Sequence, residues 1–163
     1  MSKKKKWCIK KYKKLKFRSD ALYRSFWFAK LTNKFMRQGK KALVEKYVWN
    51  AFRKVKHKTK KNVIVLLFST LMKIRPLFGF ISKRIGREFK KVPIPLLPRR
   101  QIIIALKWFV DSVKLNRSSS LERRICSELW TFTKKRPSFL RRRYIAYAVE
   151  VYQNRLNSRF RWK

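Results

Sequence analysis

The sequence predicts a mainly α protein: a single domain of six helices with a protruding β-hairpin arm between helices three and four, and a basic N-terminal extension over residues 1–18. Four observations lead there. Apolar residues recur at helical spacing in three segments before Ser82 and three after Arg100. Between them, the stretch Ser82–Arg100 holds Gly86 and three of the chain's five prolines, which no continuous helix tolerates. Lys83, Arg84, Arg87, Lys90 and Lys91 crowd around the only glycine there able to make a turn, so the arm, about residues 77–97, has a cationic tip suited to an anion. Finally, 45% of the residues are apolar and 15% aromatic, enough for one core. The domain therefore spans residues 19–163.

Residues 1–18 carry Lys3–Lys6 and further lysines with Trp7, Tyr12 and Phe17 among them. Such an arm has no period of its own and is expected to order along a phosphate backbone, its aromatics stacking on bases. Helix one follows Ser19 or Asp20, either a fair N-cap, with Leu22, Phe26, Ala29 and Phe35 inward and Gly39 as the stop. Helix two shows an unbroken stripe of Val44, Tyr47, Val48, Ala51, Phe52 and Val55, with Lys40 and Lys41 off it. His57–Lys61 reads as a connector. Asn62 can cap helix three, which carries Ile64, Leu67, Phe68 and Leu71 inward, is apolar almost all round and belongs at the centre of the bundle.

After the arm, Pro98 suits the first turn of helix four, whose stripe is Ile102, Leu106, Phe109, Val110 and Val113 while Arg99, Arg100, Lys107 and Lys114 stay in water. Ser119 with Glu122 has capping-box spacing for helix five, with Leu121, Ile125, Leu129 and Phe132 inward and Cys126 as a small core residue. Helix six starts near Phe139 and turns Leu140, Tyr144, Ala148 and Val151 inward. Its first turns carry Arg141, Arg142 and Arg143, which oppose the helix dipole unless phosphates lie against them. A second basic and aromatic tail, with Arg155, Arg161 and Trp162, closes the chain.

Charge narrows the partner. Lysine and arginine total 47 against 7 acidic residues, a net charge of +40 on 163 residues. Screened self-repulsion at that charge is on the order of tens of kcal/mol, against a typical folding stability of about 5–15 kcal/mol. The native fold is thus expected to be completed on a polyanion. No enzyme is expected: the carboxylates Asp20, Glu45, Glu88, Asp111, Glu122, Glu128 and Glu150 are scattered singly, His57 lies among lysines, and three glycines make no phosphate-cradling loop. Cys8, Cys126 and His57 form neither a disulfide framework nor a zinc site, so neither metal nor cofactor is expected. Cysteine usage so sparse suits a reducing compartment. The longest uncharged run, Asn62–Met72, is too short to span a bilayer, and the Lys-rich start has no apolar signal segment behind it.

An ordered series of residues then points to a family. Asp20, Tyr23, Ser25, Lys30, Asn33, Met36, Gly39, Lys40 and Lys41 are followed by Glu45, Val48 and Ile74-Arg75-Pro76. Next come Ser82-Lys83-Arg84-Ile85-Gly86, Val92-Pro93 and Ala105-Leu106-Lys107-Trp108-Phe109-Val110, then Ser120-Leu121, Arg124, Glu128-Leu129, Asn154-Arg155 and Phe160-Arg161-Trp162. In this order and spacing the chain resembles the universal small-subunit ribosomal protein S-seven family across nearly its whole length after Ser19. The resemblance implies six helices with a hairpin arm, binding to the 3′ major domain of small-subunit rRNA, nucleation of head assembly, and an arm near the exit site for tRNA and mRNA. Other head and platform ribosomal proteins would be its neighbours. The chain departs from the family in having Arg87 for the second arm glycine, Lys90-Lys91 for Tyr-Gln, paired arginines one position early at Arg99 and Arg100, and little of the usual sequence before Asn154.

Candidate RNA contacts are then Lys30, Lys34, Lys40 and Lys41 early in the domain; Lys83, Arg84, Arg87, Lys90 and Lys91 on the arm; Arg99, Arg100, Lys107, Trp108 and Lys114 on helix four; and Arg141, Arg142, Arg143, Arg155, Arg161 and Trp162 towards the end. Trp108 matches the family's tryptophan and is expected to be buried with an RNA-facing edge. If about ten phosphates are neutralised, affinity should fall with salt at a log–log slope of roughly 7 to 9, and specificity should come from RNA shape and unstacked bases. Divergence and heavy use of Lys, Phe and Ile suggest an organelle-encoded member in the mitochondrial matrix, with a plastid second. Two other classes share the charge: a nonspecific nucleic-acid condenser, which would bind duplex DNA equally well, and a cationic membrane-active protein, which would need long helices with charge on one face.

Overall fold

The computed structural model describes residues 20, 22, 24–117, 120–134 and 136–159. The extension over residues 1–18, Cys8, Ser19, Tyr23, Ser119, Arg161 and Trp162 lie outside them. Among the described residues there are six α-helices: α1 (Phe26–Phe35), α2 (Lys41–Thr59), α3 (Val63–Ile74), α4 (Pro98–Leu115), α5 (Leu121–Thr133) and α6 (Phe139–Gln153). A two-stranded antiparallel hairpin, β1 (Phe78–Ile85) and β2 (Glu88–Pro95), stands between α3 and α4, and a short 3-10 helix (Arg155–Arg159) follows α6. The expected mainly α fold with an arm after the third helix is what is found.

The helices close around one core. Phe28, Leu31, Val48, Ala51, Phe52, Leu71, Leu106, Phe109, Val113, Ile125, Leu129 and Leu140 are all essentially inaccessible to water. Phe28 of α1 meets Phe52 of α2 with ring centroids 4.9 Å apart. Each fully buried side chain of this size stabilises the fold by about 1.5–3 kcal/mol. Three buried hydroxyls are bonded where they sit: those of Thr32 and Thr70 donate to the carbonyls of Ala29 and Leu67, and that of Ser112 donates to the Glu128 carboxylate.

Local chemistry sets the ends. Asn62 caps α3, its side chain accepting from the Ile64 amide at 3.2 Å, and Pro98 opens α4 as expected. Helix α1 starts later than predicted: Asp20 accepts from the Leu22 amide in a local turn, Leu22 is exposed, and Ser25 occupies the N-cap position. The same helix stops at Phe35, four residues before Gly39, because Gln38 and Gly39 both adopt left-handed conformations in the turn that follows. Helix α2 runs through the predicted connector to Thr59. Lys56, His57 and Lys58 are favourable at a helix C-terminus, and Lys60, at φ 54°, ends it. The cap of α5 is Ser120, whose hydroxyl accepts from the Arg123 amide; Glu122 instead pairs with Lys54 at 2.6 Å.

Two faces differ from expectation. On α3 the buried residues are Val63, Leu66, Leu67, Thr70, Leu71 and Ile74, whereas Ile64 is only half-buried and Phe68 is 43% exposed. The helix packs on α2, α4, α5 and α6 but leaves Val65 and Phe68 towards solvent. On α6 only Leu140 is fully buried; Tyr144 and Ala148 are exposed, and Tyr147 takes the inward place. This helix contacts the core at one end and the hairpin along its side, so no full-length stripe is covered. Tyr47 on α2 is likewise exposed.

Candidate nucleic-acid interface

The arm builds its own cationic end. Its register pairs Lys83 with Lys90, Ser82 with Lys91 and Ile85 with Glu88, leaving Gly86 and Arg87 as a two-residue turn. Gly86 has φ +58°, while Arg87 is not among the residues with positive φ. Only the first turn position requires glycine, which is why an arginine fits where the resembled family has a second one. The Arg84 guanidinium donates to the Gly86 carbonyl at 3.0 Å and stiffens the tip. Lys83 and Lys90 stand directly opposite each other, an arrangement that destabilises a hairpin unless an anion shares them.

The base of the arm is held by α6 and the 3-10 helix. Tyr147 donates its hydroxyl to the Phe78 carbonyl at 3.0 Å and lies edge-on to both Phe80 and Trp108, with centroids 5.3 and 5.0 Å away. Lys91 pairs with Glu150 at 2.6 Å and lies over the Phe80 ring, and Asn157 donates to the Lys91 carbonyl at 3.0 Å. Burial together with the nearby Glu150 charge pushes the Tyr147 hydroxyl above its usual pKa of 10.0. Gly79 lies close to Leu96: a Cβ there would come within 2.7 Å of the Leu96 Cδ2 methyl, which would have to shift.

A second cationic group joins α1 to the start of α4. Lys30 and Arg99 both lie over the Phe26 ring, at 5.7 and 6.0 Å from its centroid. Arg99 and Arg100 sit in the first turn of α4, which contains no acidic residue. Lys34 and Lys40 are exposed, and Lys107 and Lys114 are exposed as predicted. At the third group, Arg141 and Arg142 are exposed on the first turn of α6, which also lacks an acid, so the dipole and the side chains present one sign of charge. Arg155 lies over Tyr152, 3.8 Å from its centroid.

Three predicted contacts are engaged within the chain. Lys41 pairs with Glu45 at 3.5 Å, Lys91 with Glu150, and Arg143 with Asp111 at 2.9 Å. Trp108 is only 5% exposed, with Arg143 over its ring at 5.7 Å and Tyr147 at its edge. It is therefore buried as expected, with the guanidinium over its ring. Cys126 is half-buried and its thiol donates to the Ala51 carbonyl; burial is the main cause that raises its pKa above the usual 9.0.

One feature of the surface was not legible as a site. A trough with two lobes of about 510 and 430 Å3 runs along α3 to the corner where α5 ends and α6 begins. The lobes share Lys73, Phe132 and Thr133, with Arg136, Arg141 and Tyr144 at one end and Lys61 at the other. Phe132 and Tyr144 read as inward residues from their spacing. No group of three His, Cys, Asp or Glu side chains that could hold a metal occurs among the described residues, and no described helix is long and apolar enough to cross a membrane.

Residues 5–146 match the family described as ribosomal protein S7p/S5e. Relatives named small ribosomal subunit protein uS7 include those of Jannaschia sp. and Pelagibacter ubique, each 29% identical over 143 residues, covering 88% of this chain and 91% of the relative. The relative from Dictyoglomus thermophilum is 33% identical over 110 residues, 68% of this chain and 70% of its own length. A match spanning most of the chain, on a helical body with a hairpin in the expected place, has one consequence: the chain is a member of the ribosomal protein S7p/S5e family.

Proposed function

We propose that this chain is a structural constituent of a small ribosomal subunit, where it binds the 3′ major domain of the rRNA, takes part in head assembly beside other ribosomal proteins, and directs its arm towards the exit site for tRNA and mRNA. The observation that carries this is the arm tip. Lys83 opposed to Lys90, with Arg84 and Arg87 beside them, is a like-charge cluster to which phosphates would add charge-assisted contacts.

The other contacts follow the same chemistry. Lys30 with Arg99 and Arg100 forms one patch, Arg141 with Arg142 another, and Lys34, Lys40, Lys107, Lys114 and Arg155 add exposed charge. Lys41, Lys91 and Arg143 contribute less, because a carboxylate already shares each of them. The basic extension over residues 1–18 would follow the backbone further, with the tail residues Arg161 and Trp162 acting in the same way. The domain proper would then be residues 19–163. The abundance of Lys and Phe and the low identity to bacterial relatives favour an organelle-encoded protein of mitochondrial ribosomes.

Sedimentation tests the proposal. The chain should travel with small subunits in moderate salt and leave them steeply as salt rises, whereas a chain that stays at the top of the gradient at every salt concentration contradicts it. Equal affinity for duplex DNA and small-subunit rRNA would favour a nonspecific condenser instead.

A further inference from the structure

The trough between α3 and the α5–α6 corner has a composition that the arm does not. Its two lobes are lined by Lys61, Lys73, Arg136 and Arg141, and by none of the chain's carboxylates. Its floor is apolar, formed by Ile74, Val65 and Leu66, with Phe132 and the exposed Tyr144 as aromatic walls. The hydroxyls of Ser69, Thr70 and Thr133 donate to carbonyls of their own helices, which leaves their oxygens as acceptors.

These features select the occupant. Lys61, Lys73 and Arg136, in a lining that holds no carboxylate, favour a polyanion, and a second copy carrying +40 is repelled. Duplex RNA offers phosphates and riboses but keeps the faces of its bases stacked inside, so an apolar, aromatic floor gives it nothing. An unpaired nucleotide brings both parts: a phosphate for the rim and a flat, largely apolar base for the floor, with N–H groups for the hydroxyl oxygens. Lobes of about 510 and 430 Å3 fall in the range of small-molecule sites and are joined through Lys73 and Phe132.

We propose that the trough receives a short unpaired, unstacked stretch of RNA, with Phe132 and Tyr144 against bases and Lys61, Lys73 and Arg136 against phosphates. This rests on the reading that the chain binds small-subunit rRNA, and adds to it a base-accepting site built on elements other than the arm. Its specificity is for single strands, where that of the arm is for backbone charge.

The test is ultraviolet crosslinking of small subunits that contain the chain, followed by mass spectrometry of its peptides. Nucleotide adducts should appear on the peptides carrying Phe132 or Tyr144. Tyr144→Leu combined with Lys73→Gln, both at exposed positions, should lower that yield about fivefold or more, with arm-tip adducts unchanged. Arm-tip adducts without any in the trough would overturn this inference alone. So would amine-to-carboxylate crosslinks tying Lys73 to an acidic segment of a neighbouring protein. A chain absent from the subunits would overturn the functional reading and this inference together.

Discussion

The two ends of the hairpin show how one element can be divided between folding and binding. At its base, every cation or aromatic of note has a partner within the chain: Phe80 has Tyr147 and Lys91, Lys91 has Glu150, and the Phe78 and Lys91 carbonyls accept from Tyr147 and Asn157. At its tip, four cations surround a two-residue turn, and the nearest acid, Glu88, is a single charge. The base lowers the free energy of the isolated chain. The tip instead gathers like charge around the turn, which phosphate would neutralise.

Breaking the base should have the largest effect on stability. Tyr147→Ala removes two edge-on ring contacts and a hydrogen bond, and should cost about 2–4 kcal/mol by denaturant unfolding, with little change in how rRNA affinity depends on salt. Neutralising the tip should do the reverse. Lys83→Gln with Arg87→Gln and Lys90→Gln should reduce the log–log salt slope of rRNA binding by about 2 to 3, while the melting temperature of the free chain holds or rises.

The turn separates the two residues where the resembled family has glycines. Gly86→Ala places a Cβ in a left-handed conformation with nothing within 4 Å, so the cost is conformational, about 1 kcal/mol. Arg87→Gly should change stability by less, and any loss in rRNA binding would then belong to the charge. The smallest effect is on pH. Tyr147 has a folded pKa raised above 10.0, so the unfolded chain loses this proton first as pH rises. Its contribution is complete below pH 10 and disappears as pH climbs through the folded value. Tyr147→Phe should flatten that alkaline decline in stability.

The same division explains what the sequence disclosed. The α2 and α4 stripes were legible because both helices are covered along most of one face, so Val48, Phe52, Leu106 and Phe109 follow an uninterrupted period. The arm was legible because Gly86 and its prolines have few other uses. Helix α6 was not: its cover changes from the core at Leu140 to the hairpin at Tyr147, so Tyr144 and Ala148 fall on a face left exposed among the described residues. Nor could spacing choose between Ser119 and Ser120, or show that His57–Thr59 extend α2, because adjacent residues of similar capping strength or helix propensity differ by only tenths of a kcal/mol. The cationic patches could be read as charge, but not that Glu150 and Asp111 already share Lys91 and Arg143. Those two pairs join residues far apart in sequence, and only the packing of α6 on the arm and on α4 brings them together, whereas Lys41–Glu45 is an i,i+4 pair within α2.

The most direct test is to map nucleotide crosslinks on the arm of chain isolated within small subunits. The account predicts rRNA adducts concentrated between Lys83 and Lys90 and absent from Phe78–Phe80 at the base. Adducts spread evenly along both strands, or an arm tip linked only to protein, would contradict it.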